Sequence, residues 1–436
     1  MTDGITAISI AMAALLLLMA TSIPVFVAFM IVNLVAVGLI MGSAAFGMFV
    51  NSLFETTTTL SLVTVPLFIL MGEILFRSSA VDVVLGAVDR LLGRVKGRQY
   101  VLVVLLAAIF STLSGAAMGV AAMLGRSLLP SMIQRGYDPS LSAGNILAGA
   151  SLAPLIPPSV LTIIIGTLAG VSISGLLVGG ILPGLMLATL FIVYTMVRII
   201  RNPALAPAEL EPHRKLGLRD VVTSVLELLP FTVIIVMVMG LILAGVATPT
   251  EAGAMGVIGA VFVAAINRRL TVGLLWESLG STAMVSGMIM MIMASSKLFS
   301  QLLAFTGGAT AMTNLVVGLD LPPLVMLVVL LALPFILCMF VDQIAIMLIV
   351  IPIYLPVVAH LGFDPIWFWV IFLVVITIGG ITPPFGYTLF ALKGVWAEGT
   401  LATVFSAAWP FVFVFLLGIA IMIAFPAIIT FLPSLI

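Results

Sequence analysis

The chain has 436 residues, of which 63% are hydrophobic and only 7% charged, at a mean hydropathy of +1.41. Soluble domains carry about a quarter of their residues as charges, so a soluble fold is excluded and a polytopic membrane protein is implied. One cysteine, Cys338, excludes an intramolecular disulfide, and His213 and His360 lie far apart with no metal-ligand spacing, which argues against redox and metal chemistry.

In chain order, the N-terminal "MTDGITAISI" lacks a basic flank and a small-residue cleavage pattern, so its apolar run is expected to stay as a first helix. Full crossings are predicted at roughly 5–22, 24–41, 57–77, 139–169, 175–198, 226–246, 249–267, 282–303, 365–395 and 406–432. Alternating β-barrel strands are absent, so these ten spans are helices. Two further apolar stretches, about 100–134 and 323–360, read as pairs of arms of some 14–18 residues around a polar or irregular middle. Each arm is too short to span, and each pair reads as a re-entrant hairpin. The segments 80–97 and 270–281 are amphipathic with basic edges and are expected to lie along the interface as arms. The polar, proline-rich 201–220 is the linker between a first half, 1–200, and a second, 221–436.

The halves are related by a fixed offset. "LPSMIQRGYDP" at 129–139 aligns without gaps on "LPVVAHLGFDP" at 355–365, and the same 226 residues carry Pro157-Pro158 onto Pro383-Pro384 and Thr162 onto Thr388. With a non-crossing hairpin, each half has five crossings, an odd number, so the halves must be inverted. Fourteen of the sixteen Lys and Arg residues then fall on one face: Arg77, Arg90, Arg94, Lys96, Arg98, Arg135, Arg198, Arg201, Arg214, Lys215, Arg219, Arg268, Arg269 and Lys393. Basic residues collect in the cytoplasm, so both termini are expected outside. Hairpins that crossed once would put the 198–219 charges opposite the 77–98 cluster.

Each Pro-Pro pair interrupts a helix inside the bilayer, because proline donates no helical hydrogen bond and pushes its predecessor out of helical geometry. The freed carbonyls suit a cation and the new half-helix N-termini suit a carboxylate. The hairpin turns add Ser111, Thr112, Ser114 and Gly115 in one half, and Asp342 and Gln343 in the other. Asp342 is the strongest single candidate, as an ion-site residue or as the cap of the second arm. Asn145, Ser151, Thr377 and Thr382 flank the breaks and either coordinate or back-bond within their helices. Arg126 and Lys297 could pair with an anionic substrate, although snorkelling towards the cytoplasmic face is favoured. Asp138 and Asp364 read as helix caps before proline. Glu73 and Glu251 face either a subunit surface or the interface.

These residues resemble the large membrane subunit of a TRAP (tripartite ATP-independent periplasmic) transporter, in the ion transporter superfamily. "STLSGAAMGVAAMLGRSLLPSMIQRGYD" is similar to that family's hairpin segment, "LAPLIPPS" to its first break, and "MFVDQIAIMLIVIPIYLPV" with "GGITPPFG" to the second pair. Ala116 departs from the family's usual third small hydroxyl residue. The resemblance implies sodium-driven import of a small organic acid by an elevator movement in the bacterial inner membrane. Its expected partners are a small four-helix membrane subunit and a soluble periplasmic binding protein, with no nucleic acid. Since no four-helix block precedes residue 5, the small subunit is expected as a separate chain. Carried over, sodium site one involves Ser111, Ser114, Gly115, Pro154 and Pro157. Site two involves Asp342, Gly379, Gly380 and Thr382, and Ser159, Asn145, Pro384 and Arg126 lie towards the substrate. The alternative is a stand-alone Na⁺/carboxylate symporter or antiporter of the same superfamily. An intramembrane enzyme is disfavoured, because neither Gly-x-Gly-Asp nor His-Glu-x-x-His occurs.

Overall fold

The computed structural model describes residues 25–42, 44–78, 80–91, 97–114, 117–207 and 217–436, with isolated positions before residue 25. The expected crossing 5–22 falls largely outside these, as do Gly115, Ala116, Arg94, Lys96, His213, Arg214 and Lys215. Everything described is helix, turn or coil, as expected for an all-α membrane protein.

Among the described residues, seven helices are long and apolar enough to cross a bilayer. Six match predicted crossings: Leu60–Arg77, Ile173–Arg201, Leu218–Leu243, Pro249–Ile266, Val272–Phe305 and Leu401–Ala424. The seventh, Gln343–Leu361, is the second arm of the second hairpin and at 19 residues is longer than the sequence suggested. Its Pro352 and Pro356 sit inside the helix without ending it. The corresponding arm of the first hairpin is divided into Ala117–Ser127 and Leu129–Gln134, with Pro130 opening the second piece. The first arms are Arg98–Ser114 and Pro323–Cys338.

Two expectations need correction. Residues 270–281 form no separate arm: Thr271 caps a single 34-residue helix, Val272–Phe305, by accepting from Leu274 N at 3.1 Å, and nothing interrupts the helix afterwards. At 1.5 Å per residue it is about 50 Å long, more than the hydrocarbon core requires. Lys297 does not snorkel free but pairs with Glu55 at 2.6 Å. Glu55 belongs to Ala44–Thr58, a helix not foreseen between the second and third crossings, which Ser52 also ties to Gln301 at 3.1 Å. The helix Ala80–Leu91, by contrast, is amphipathic and lies against Leu218–Leu243, where Arg90 pairs with Glu227 and donates to Ser224 Oγ at 3.0 Å.

Both expected interruptions are present, and their outer boundaries, at 139 and 365 and at 169 and 395, recur at the 226-residue offset, while the first half-helix of the second pair runs three residues further. Pro139–Ala150 and Val160–Ala169 flank the first, and Pro365–Gly379 and Tyr387–Val395 flank the second. Packing across the halves is reciprocal. The arm Ala117–Ser127 lies on Tyr387–Val395, while Val160–Ala169 lies on Gln343–Leu361. In the same way Thr64–Arg77 packs on Pro249–Ile266, and Val25–Met41 on Val272–Phe305. Each half therefore supplies the surface that covers the other's apolar faces. At Gly125 the approach is so close that a Cβ would stand 2.5 Å from a methyl of Leu392.

Candidate functional site

Each interrupted helix starts from a local cap. Asp138 Oδ1 accepts from Leu141 N at 2.7 Å and Asp364 Oδ1 from Trp367 N at 2.8 Å, each followed by proline in the first turn. This satisfies an otherwise orphaned amide at the position where proline's missing donor costs nothing. In the first break Ser159 caps Val160–Ala169 by accepting from Thr162 N at 3.3 Å. Ser159 Oγ also donates to Pro154 O, as does Thr162 Oγ1 at 3.3 Å. Two buried hydroxyls thus occupy both lone pairs of the freed carbonyl, and a cation there would have to share or displace them.

The second break meets the same backbone requirement without such hydroxyls. Thr382 N donates to Gly379 O at 3.1 Å, Gly386 N to Thr382 O at 3.2 Å and Thr388 N to Gly380 O at 3.1 Å. Thr382 Oγ1 back-bonds to Ile378 O at 2.7 Å. Thr388 Oγ1, the counterpart of Thr162, is buried with no hydrogen-bond partner among the described residues, so an oxygen is free here where the first break has none. Pro157-Pro158 and Pro383-Pro384 are both cis.

The second hairpin turn joins this arrangement through Asp342, whose Oδ2 accepts from Ile344 N at 2.9 Å and caps Gln343–Leu361. Gln343 is buried and donates from Nε2 to Ile376 O at 3.1 Å, fastening the turn to the interrupted helix.

Between these parts and the long helices lies a cavity of about 340 Å³. Ala117, Met118 and Gly119 line it from the first hairpin, Pro154, Val160 and Leu161 from the first break, and Asp342, Gln343 and Ile344 from the second hairpin, with Tyr387 beyond the second break. Gly72, Glu73 and Phe76 form part of the opposite wall with Val285 and Ile289. Both hairpins, the first break and the helix that follows the second break therefore meet one wall built of uninterrupted helices. Glu73 is held by Arg77 Nε at 2.8 Å, and Arg77 also reaches Glu277 at 2.7 Å and Ser281 Oγ at 2.9 Å. Asp342 has no ion pair among the described residues, and no described Lys or Arg lines the cavity.

Of the residues singled out in the sequence, Asp342, Gln343, Pro154 and Glu73 reach the cavity wall. Gly379, Gly380 and Thr382 lie behind Tyr387 in the second break, where a Cβ on Gly380 would stand 2.6 Å from the Tyr387 ring. Ser111 is buried and back-bonds to Ala107 O, and the backbone of Ser114 ends the first arm. Pro157 and Ser159 are buried within the first break, while Pro384 is exposed. Arg126 is exposed near the end of its helix and is not among the cavity's lining residues. Asn145 turns away into the bundle, donating to Leu141 O at 2.9 Å and accepting from Thr195 Oγ1 at 3.0 Å. Asn145→Ala is expected to cost about 1–3 kcal/mol by leaving Thr195 unsatisfied, a loss that appears in thermal unfolding rather than in ligand affinity. Ser151 and Thr377 likewise back-bond, and Glu251 forms a capping box with Thr248. Tyr387 is a wall residue that sequence reasoning missed, and Glu73, expected at a subunit surface or the interface, lines the cavity instead. A carboxylate inside an apolar span, one turn before an arginine, was the available signal for Glu73.

Fold and cavity together define a multi-pass helical membrane protein with two helix breaks and two hairpins gathered around one central chamber. The chain matches the family model described as "Tripartite ATP-independent periplasmic transporter, DctM component" over residues 12–428 and belongs to that family, as a large membrane subunit of a TRAP transporter. The ectoine TRAP transporter large permease protein TeaC of Halomonas elongata is 31% identical over 378 residues, 86% of either chain. The 2,3-diketo-L-gulonate TRAP transporter large permease protein YiaN of Escherichia coli is 32% identical over 348 residues, 79% of this chain and 80% of that one. The C4-dicarboxylate TRAP transporter large permease protein DctM of Pseudomonas aeruginosa is 28% identical over 88% of both. Among solved structures, the YdaH transporter of Alcanivorax borkumensis aligns at a TM-score of 0.70 over 92% of this chain and 98% of that one. At 14% identity this likeness speaks for the fold alone.

Proposed function

We propose that this subunit carries a small organic acid inward across the bacterial inner membrane together with Na⁺. A small four-helix membrane subunit completes the membrane part, and a periplasmic binding protein delivers the substrate. The observation that carries this reading is the charge of the cavity. It presents the unpaired carboxylate of Asp342, the Arg77-held carboxylate of Glu73 and no described basic side chain. A carboxylate substrate entering that space is repelled unless a cation accompanies it, and this is the physical requirement for coupling.

The Asp342 carboxylate, the backbone around Gly379, Gly380 and Thr382, and the unpartnered hydroxyl of Thr388 supply hard oxygen donors of the kind Na⁺ takes. The first-half donors are the turn around Ser111, Ser114 and Gly115 with the carbonyls near Pro154 and Pro157. Helix starts after the two breaks, at Val160 and Tyr387, offer amides to the substrate's carboxylate. The recurrence of caps, breaks and packing partners at one offset supports two inverted repeats, with both termini outside. The hairpins and interrupted helices then form the moving body, and helices such as Thr64–Arg77 and Val272–Phe305 form the static wall of an elevator. The ectoine, diketogulonate and C4-dicarboxylate relatives support the substrate class.

Reconstituted with its small subunit in vesicles, the protein is expected to accumulate substrate only with added binding protein and an inward Na⁺ gradient. Equal uptake with K⁺ in place of Na⁺ would refute the coupling. Uptake without the binding protein would instead favour a stand-alone symporter.

A further inference from the structure

A second cavity, of about 400 Å³, lies apart from the central one, between the end of Leu60–Arg77 and the loop joining Pro249–Ile266 to Val272–Phe305. Arg77, Arg268, Arg269, Thr271, Gly273, Leu274 and Glu277 line it. Three arginines face one glutamate, and Arg77 already divides itself between Glu73 and Glu277. The side chains of Arg268 and Arg269 have no partner among the described residues. Arg268 holds this place at φ 55, in the left-handed region that a side chain of its size seldom adopts. The amides opening Val272–Phe305 add a positive helix end to the same hollow.

The surroundings indicate what fills it. Ile266 (55%), Val272 (79%) and Trp276 (74%) are exposed around the arginines, an apolar surface with an indole at its edge, as at the level where acyl chains meet headgroups. We infer that this hollow binds a tetrahedral phosphate, that of an anionic phospholipid headgroup or free phosphate, between Arg268 and Arg269. Guanidinium forks match phosphate oxygens two at a time, and basic pockets between membrane helices suit anionic headgroups. The phosphate would draw on Arg77 as well, so its presence is linked through that residue to Glu73 on the central cavity's wall.

Lipid retention by the full-length protein in neutral detergent, read by native mass spectrometry, tests this independently of transport. Phosphatidylglycerol is expected to be retained over phosphatidylcholine, and Arg268→Gln with Arg269→Gln to weaken it roughly tenfold or more, at about 1 kcal/mol per near-surface arginine. The double lysine variant keeps the charge but loses the fork, and is expected to fall between. If millimolar inorganic phosphate competes the lipid off, free phosphate shares the site; if it does not, the headgroup is the ligand. Unchanged phosphatidylglycerol retention in the double glutamine variant, or equal retention of phosphatidylcholine, would overturn the assignment.

Discussion

Asp342→Ala is expected to reduce Na⁺-driven uptake at least tenfold while leaving the protein in the membrane. The substitution removes the unpaired carboxylate of the central cavity and also the cap on Ile344 N. Losing the cap costs about 1 kcal/mol, too little to unfold a bundle of this size. The two contributions separate with Asp342→Asn, which keeps an oxygen for the cap and loses the charge. If the charge matters, the asparagine variant unfolds nearly as the parent does, yet needs far more Na⁺ for half-maximal uptake. Unaltered Na⁺ dependence in both variants would reduce Asp342 to a helix cap.

The largest stability effect is expected at the second break. A Cβ on Gly386 would lie 2.7 Å from Gly380 O and 3.0 Å from both Gly380 C and Thr382 N. All three atoms are backbone, so no side chain can turn aside, and Gly386→Ala is expected to cost about 3 kcal/mol or more, at the top of the overpacking range. Gly379 is nearly as constrained: its added Cβ would meet Cys338 Cβ at 2.3 Å. Cys338→Gly should restore part of what Gly379→Ala loses, because the nearest clash is with that single atom. Gly287, inside Val272–Phe305 with nothing within 4 Å of an added Cβ, is the control. Alanine there is expected to stabilise by up to about 1 kcal/mol through helix propensity. Thermal unfolding of the four variants in detergent ranks them. Gly386→Ala matching Gly287→Ala would show that the break yields easily.

Much of the site's frame was legible because it is written in residues with strong local consequences. An aspartate before a proline starts a helix, and adjacent prolines interrupt one. These features place 139–169 and 365–395 with their interruptions without any tertiary contact. Asp342 stands out for the same reason, as a charge where charge is expensive. What escaped notice depends on neighbours distant in sequence. Glu55 meets Lys297 only because Ala44–Thr58 folds onto Val272–Phe305, and no periodicity announces that contact. Glu73 reaches the cavity because its helix forms the facing wall. Asn145 is the other kind of case: a polar side chain beside a break left coordination and back-bonding open, and in the structure Leu141 O and Thr195, fifty residues on, engage it. The extra length of Val272–Phe305 was hidden by the Arg268-Arg269 pair just before it, which makes 270–281 look like an interfacial segment until the cap at Thr271 is seen.

The reciprocal packing of the halves bears on the order in which the chain is made. When the ribosome has finished the arm Ala117–Ser127, the helix it rests on, Tyr387–Val395, has not been synthesised. Val160–Ala169 waits in the same way for Gln343–Leu361. The first half must therefore pass through the insertion machinery with these surfaces covered by lipid or by a temporary companion, and it closes up only when the second half arrives. A chain cut within 208–216 should then assemble from two separately produced pieces, provided both are present together. Either piece made by itself should be short-lived.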